Sequence, residues 1–220
     1  YDITIAPLVE EWGFGKNKKQ DIPPNPTISN LLKNIGYNNI YLKDDMLYRN
    51  KTSVNIDLNS IAKGYAVDEV SNLIKSEGYY DFLVEIGGEV KSSVLHSQDW
   101  LVGIQSPNSN EIIKKIILSN KSMATSGTYN NYFEYDGKKF SHIINPKTGY
   151  PYEHLIVSAT IIANECIDAD AYATMAMTMK IDDFLNVVNG KKDVECFLIV
   201  LEENQDLIYY QSDNFKDFIY

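Results

Sequence analysis

A chain of 220 residues suffices for one large domain or two small ones, and 44% hydrophobic residues is ordinary for a globular protein. The formal net charge of −10 argues against a general nucleic-acid binder, which needs a basic face for phosphates, but leaves room for a locally positive pocket that takes a small anion. Cys166 and Cys196 are too few for a disulfide framework, and their apolar neighbours point to two buried thiols. No apolar run reaches the roughly 18 residues of a membrane span. Tyr1-Asp2-Ile3-Thr4 runs straight into structured sequence, so a segment carrying any targeting signal is expected to precede it.

In chain order, residues 3–12 carry apolar side chains at helical spacing and stop at Gly13-Phe14-Gly15. Asn25-Pro26 opens a second helix, with Ile28, Leu31, Leu32 and Ile35 as its stripe up to Gly36. Residues 39–42 and 46–49 read as a hairpin turning at Asp44-Asp45. Val54, Ile56 and Leu58 alternate with polar residues as a strand. Asn59-Ser60 then caps a helix whose apolar stripe is Ile61, Tyr65, Val67, Val70, Leu73 and Ile74, with Gly78 past its end. Residues 81–86 form a strand that breaks at Gly87-Gly88 and resumes over 89–95, followed by strands at 100–105 and 112–118. A hairpin over 129–135 and 138–144 turns at Asp136-Gly137, and 145–151 is a rigid turn. A buried strand at 155–163, helices at 168–179 and 182–189, and strands at 194–201 and 207–211 complete the chain. Antiparallel hairpins with segregated helices define an α+β class, and no linker separates free domains, so residues 1–220 read as one domain.

Four stretches can carry chemistry. Asp57 at a strand end, followed by a helix N-terminus and Lys63 in the first turn, suits a phosphorylated ligand; a plain strand-to-helix connection has the same pattern. Asp170 and Thr174, four apart on a helix, share one face and offer hard oxygen donors for Mg²⁺; an acid near a helix N-terminus is the ordinary alternative. His142, at a strand end, can move a proton or bind phosphate, or be a structural histidine. Residues 123–129, Met-Ala-Thr-Ser-Gly-Thr-Tyr, could form an anion-receiving turn.

Their order and spacing are more specific than any one of them. Asp-Leu-x-x-Ile-Ala-Lys-Gly-Tyr-Ala-Val-Asp, Gly-Gly-Glu, Ala-Thr-Ser-Gly, Ser-His-Ile-Ile-x-Pro-x-Thr-Gly and Asp-Ala-x-Ala-Thr follow one another in a chain that resembles the ApbE family of FAD:protein FMN transferases. Residues 1–8 and Trp12-Gly13-Phe14-Gly15 share the likeness. The sequence departs from the family pattern at Asn59, where glycine is usual, and at Asn145, where aspartate is usual.

The resemblance implies a T-fold-like α+β architecture, two interlocked antiparallel-sheet and helix halves around a nucleotide site. It implies Mg²⁺-assisted transfer of FMN from FAD to a Thr or Ser hydroxyl of a partner protein, with AMP released. It places Tyr1, Asp2, Asp57, Lys63 and Ile144 on the flavin nucleotide, and Asp170, Thr174 and the carbonyls of Ser60 and Ala173 around the metal. Lys63, Asp170 and His142 become the catalytic candidates, His142 near the reacting phosphate. The family's acceptor pattern, Asp-x-x-(Ser/Thr)-Gly-Ala-(Ser/Thr), is absent from these 220 residues, so the acceptor is expected in another protein. A cell-envelope location, with lipid anchoring through a preceding segment, also follows from the resemblance. FAD hydrolysis to FMN and AMP, and non-catalytic FAD binding, are the rival readings.

Overall fold

Proline sets where the first two helices begin, because its fixed φ and missing N–H suit a helical first turn. Pro7 lies in the first turn of α1 (Ala6–Glu11) and Pro26 in that of α2 (Asn25–Leu32). Helix α2 stops earlier than its apolar stripe suggests, with Asn34 and Ile35 donating back to Leu31 and Leu32 in tight turns. A hairpin of β1 (Ile40–Lys43) and β2 (Met46–Arg49) turns at Asp44 and Asp45, whose φ values of 50° and 58° are those of a two-residue hairpin turn.

The computed structural model describes residues 1–129, 131–153, 156–202 and 206–220. The chain divides into two units, Tyr1–Leu58 with Asn130–Glu153, and Asn59–Tyr129 with His154–Tyr220.

The first unit is built on Trp12, which is fully buried with Leu8, Ile28, Phe133, Phe140 and Ile144. Phe133 and Phe140 come from the expected hairpin, β3 (Tyr132–Tyr135) and β4 (Lys138–Ser141), which turns at Asp136 and Gly137. The Trp12 indole N–H donates to the Gly149 carbonyl at 2.7 Å. Gly149 has φ +79° and sits so close that an added Cβ would lie 2.4 Å from Ile28 Cγ2. The 145–151 turn is thereby pinned to the aromatic core.

The second unit carries a six-stranded antiparallel sheet. In chain order its strands are β5 (Phe82–Ile86), β6 (Glu89–Ser93), β7 (Ser122–Gly127), β8 (Ile156–Ala163), β9 (Glu195–Leu201) and β10 (Leu207–Gln211). The spatial order is β10-β9-β8-β7-β6-β5. Helices α3 (Ala62–Ser76) and α4 (Cys166–Ala176) pack on one another and on this sheet. Val90, Met123, Ile162, Phe197 and Ile199 form another cluster with Ile104, Ile116 and Leu118 of a separate ribbon, β11 (Trp100–Gln105) and β12 (Ile112–Leu118). Helix α5 (Ile181–Asn189) opens with Asp182 and Asp183 and buries Phe184 and Val188. Both cysteines are free and buried, as their apolar neighbours suggest, and burial raises their thiol pKa values, that of Cys196 to about 11.

Four expectations are corrected. Residues 54–58 form no strand, because no neighbouring strand pairs with them; the Asp57 N–H instead donates to the Ile3 carbonyl at 2.7 Å. Neither Asn59 nor Ser60 occupies the N-cap position of α3, which is Ile61, a residue that makes no side-chain cap hydrogen bond. The buried face of α3 is Gly64, Val67, Asp68 and Ser71, while Tyr65, Val70 and Leu73 are exposed. Likewise, of residues 123–129 the first five belong to the strand β7, which pairs with β8 along its length and with β6 at Ser122 and Met123, the Thr125 and Thr160 hydroxyls being bonded at 2.9 Å. The strand expected from Leu155 is β8, and Leu155 itself lies outside the described residues.

Candidate active site

The second unit brings Asp170, Lys63 and Glu89 together. Helices α3 and α4 approach closely because Gly64 has no side chain: a Cβ there would stand 2.4 Å from the Cys166 carbonyl oxygen. The Gly64 N–H donates to Asp170 Oδ2 at 2.9 Å, and Asp170 is only 3% exposed. Among the described residues Asp170 Oδ1 takes no hydrogen bond. Burial raises the Asp170 carboxyl pKa above its ordinary value, with the Gly64 N–H and the Lys63 charge pulling the other way.

Lys63, in the first turn of α3, is half exposed, and its ammonium lies 2.7 Å from both Glu89 oxygens. The hydrogen bond goes to Oε1, leaving buried Oε2 held by charge alone. Glu89 opens β6 just after the Gly87-Gly88 turn, and burial raises its pKa, with Asp170 adding to the rise and Lys63 opposing it. Sequence reasoning quoted Gly-Gly-Glu as a motif but gave Glu89 no role; a carboxylate placed directly after a glycine turn was the available signal.

Thr174 stands one turn beyond Asp170 on the same face of α4 and is half-buried. Buried Ala173 lies in the last turn, where helix carbonyls lack partners within the helix. Ser60 is half-buried, four residues before the Gly64 amide that meets Asp170. Asp170 offers a carboxylate oxygen beyond the one bonded to Gly64, and Thr174, Ser60 and Ala173 offer hydroxyl and carbonyl oxygens, donor types that suit a hard cation such as Mg²⁺. No group of three or more His, Cys, Asp or Glu side chains arranged to hold a metal occurs among the described residues.

The other predicted residues belong to the first unit. Asp2 organises its own turn: Oδ1 accepts the Thr4 N–H at 2.9 Å and hydroxyl at 2.7 Å, and Oδ2 accepts the Tyr37 N–H at 2.9 Å. Tyr1 is exposed, and the Asp57 to Ile3 backbone bond brings half-buried Asp57 beside this segment. A cavity of about 300 Å³ opens alongside, lined by residues that include Tyr48, Arg49, Val54 and Ile56. Ile144 is buried and bridges to Pro151. His142 Nδ1 lies 3.1 Å from the Asn131 carbonyl. A carbonyl only accepts, so this contact puts the proton on Nδ1 and, in the neutral ring, the lone pair on Nε2.

These features define an α+β protein with a buried helix-borne carboxylate, Asp170, beside a lysine–glutamate pair. The ApbE family profile matches residues 1–198, and the chain belongs to the ApbE family. It is 33% identical over 223 residues to the FAD:protein FMN transferase of Vibrio cholerae serotype O1, covering 99% of this chain and 66% of that relative. It is 31% identical over 227 residues to the enzyme of the same name from Escherichia coli K12, covering 64% of it. The chain thus spans just under two thirds of these relatives. The solved structure of flavin transferase ApbE from Vibrio cholerae superposes with a TM-score of 0.88 at 31% identity, over 99% of this chain and 70% of that one. The ApbE protein of Thermotoga maritima does so with 0.87 at 33% identity, over 99% and 71%.

Proposed function

We propose that this chain carries the catalytic apparatus of a flavin transferase that moves FMN from FAD to a Thr or Ser hydroxyl of a partner protein. The observation that carries the reading is Asp170, buried on α4 with Oδ1 lacking a hydrogen bond and with Lys63 nearby. In the reaction the acceptor oxygen bonds to the FMN phosphorus, the pyrophosphate P–O bond breaks, and AMP leaves with the bridging oxygen. Asp170, Thr174 and the carbonyls of Ser60 and Ala173 would hold Mg²⁺. When bound, that ion supplies positive charge against the pyrophosphate oxygens.

Lys63 keeps its ammonium half exposed while Glu89 holds it in place, which suits it to stabilise charge on the departing AMP. His142, with its lone pair on Nε2, takes the proton of the acceptor hydroxyl. Tyr1, Asp2, Asp57 and Ile144 contact the flavin nucleotide. Phosphoryl transfer depends mostly on positioning and charge, so few covalent roles are needed. That these 220 residues contain no acceptor pattern supports an acceptor carried by a partner protein. A cell-envelope setting, with anchoring supplied outside this stretch, fits the family likeness; among the described residues no helix is long and apolar enough to cross a membrane.

The test mixes the full-length protein, FAD and Mg²⁺ with and without a flavin-acceptor domain. FMN on the acceptor in a denaturing gel with stoichiometric AMP is expected. Free FMN whether or not acceptor is present establishes the hydrolase instead, and intact FAD under every condition leaves only a binding protein.

Lys63→Ala is expected to lower FAD turnover roughly 10- to 100-fold, the range of one charge-assisted hydrogen bond to a phosphate. Steady-state kinetics and an FAD titration check this, and the assignment fails if both the rate and the affinity stay at wild-type values.

A further inference from the structure

Neither of the two helices at the cation site caps its own N-terminus from the N-cap residue: Ile61 of α3 and Glu165 of α4 make no side-chain cap hydrogen bond. Each is capped by the other. Asp170 of α4 accepts the Gly64 N–H in the first turn of α3 at 2.9 Å. Asp68 of α3 accepts the first two N–H groups of α4, Cys166 to Oδ1 at 3.0 Å and Ile167 to Oδ2 at 2.9 Å. Gly64 and Asp68 are one turn apart on α3, and Asp170 and Cys166 one turn apart on α4, so the two bonds run antiparallel and fix one helix against the other.

The Asp68 carboxylate is buried and would repel its own acidic neighbourhood without a counter-charge. Lys91 on β6 supplies it: its ammonium donates to Asp68 Oδ1 at 2.6 Å and to Glu165. Burial works against the Lys91 charge, yet the bonds to Asp68 and Glu165 keep its pKa above the ordinary value. Both Asp68 oxygens are therefore committed, one to an amide and the ammonium, the other to an amide. An asparagine here has one acceptor oxygen for three donors, and its NH₂ would face a donor.

We propose that Asp68, anchored by Lys91, is a positioning residue: it sets the register of α4 on α3 and so aims Asp170 Oδ1 at the cation. The inference rests on the reading of Asp170 as a cation ligand. It predicts that Asp68 matters to cation affinity although it lies a helical turn from that ligand's partner, Gly64.

The experiment measures Mn²⁺ affinity by electron paramagnetic resonance, and hydrogen exchange of the Gly64 amide by NMR, in the full-length protein. Asp68→Asn is expected to weaken Mn²⁺ binding at least fivefold and to speed Gly64 exchange at least tenfold relative to the Val67 amide one turn inside α3. Ile116→Ala, which loosens the core of the same unit away from the clamp, serves as the control for lost stability and is expected to leave Mn²⁺ affinity within twofold. If Asp68→Asn does not fold, Asp68→Glu keeps the charge on a longer arm and is expected to weaken Mn²⁺ binding about threefold. Wild-type Mn²⁺ affinity in the folded Asp68 variant, or an equal loss in Ile116→Ala, overturns the inference while leaving the cation reading standing. A wild-type protein that binds no Mn²⁺ overturns the cation reading and the inference with it.

Discussion

Asp170→Asn is expected to fold and to lose FAD cleavage by about 1,000-fold. Asparagine keeps an acceptor for the Gly64 N–H that now bonds Asp170 Oδ2, so the cap on α3 survives. What disappears is the charge, and with it the one carboxylate in the proposed oxygen set of Asp170, Thr174 and two carbonyls. A bound cation supplies several kcal/mol of charge stabilisation in phosphoryl transfer, and about 4 kcal/mol is a factor of roughly 1,000 in rate. Asp170→Ala should be inactive as well, but it also orphans the buried Gly64 N–H at a cost of about 1–3 kcal/mol. The pair of variants separates chemistry from scaffold: both inactive, only the alanine less stable. Urea unfolding and AMP release measure the two effects. An Asp170→Asn protein that cleaves FAD at the wild-type rate in excess chelator would remove Asp170 from the mechanism.

The hairpins were legible in the sequence because their turn residues carry the conformation. Asp44, Asp45, Asp136 and Gly137 all adopt positive φ where the sequence places the turns. The family was legible from ordered motifs and the α+β class from hairpins with segregated helices; the profile match over residues 1–198 bears out the first and the superposed ApbE structures the second. The packing face of α3 was not. Hydrophobic spacing selects Tyr65, Val70 and Leu73, but the helix buries Gly64, Asp68 and Ser71 beside Val67. A face buried through backbone approach and an ion pair has no hydrophobic signature. Strand β7 was missed for a related reason: Thr125, Ser126 and Gly127 read as a turn, and only their ladder partners on β8 and the Thr125–Thr160 bond make them a strand.

The candidate site divides the same way. Asp170 and Thr174 share a helical face at a spacing the sequence displays directly. Glu89 and Asp68 acquire their roles from Lys63 and Lys91, which lie 26 and 23 residues away in the chain. Charged pairs formed by tertiary approach leave no local pattern, so both acids passed as motif letters without a function. Asp2 shows the opposite case. Its carboxylate bonds Thr4 and Tyr37 within its own loop, a structural task that stands beside the nucleotide contact the resemblance implies.

Trp12→Ala is expected to cost the fold about 3–5 kcal/mol, the range for deleting a buried aromatic side chain. Trp12 has no exposed surface, stacks on Phe140 with ring centroids 5.6 Å apart, and meets the edge of Tyr150 at the same distance. Its indole N–H also satisfies the Gly149 carbonyl, so the substitution opens a cavity and strands a buried acceptor together. A loss of about 4 kcal/mol in a chain of this size lowers Tm by about 10 °C. Trp12→Phe isolates the hydrogen bond: it keeps most of the stack and is expected to lose only about 1–2 kcal/mol. The same variants probe function, because Gly149 closes the turn that begins just after Ile144 and follows His142. Freed from Trp12, that turn should hold His142 less firmly, and FMN transfer should fall further than FAD binding does. Equal stability of Trp12→Ala and wild type in calorimetry would show that the aromatic cluster does not hold the first unit together.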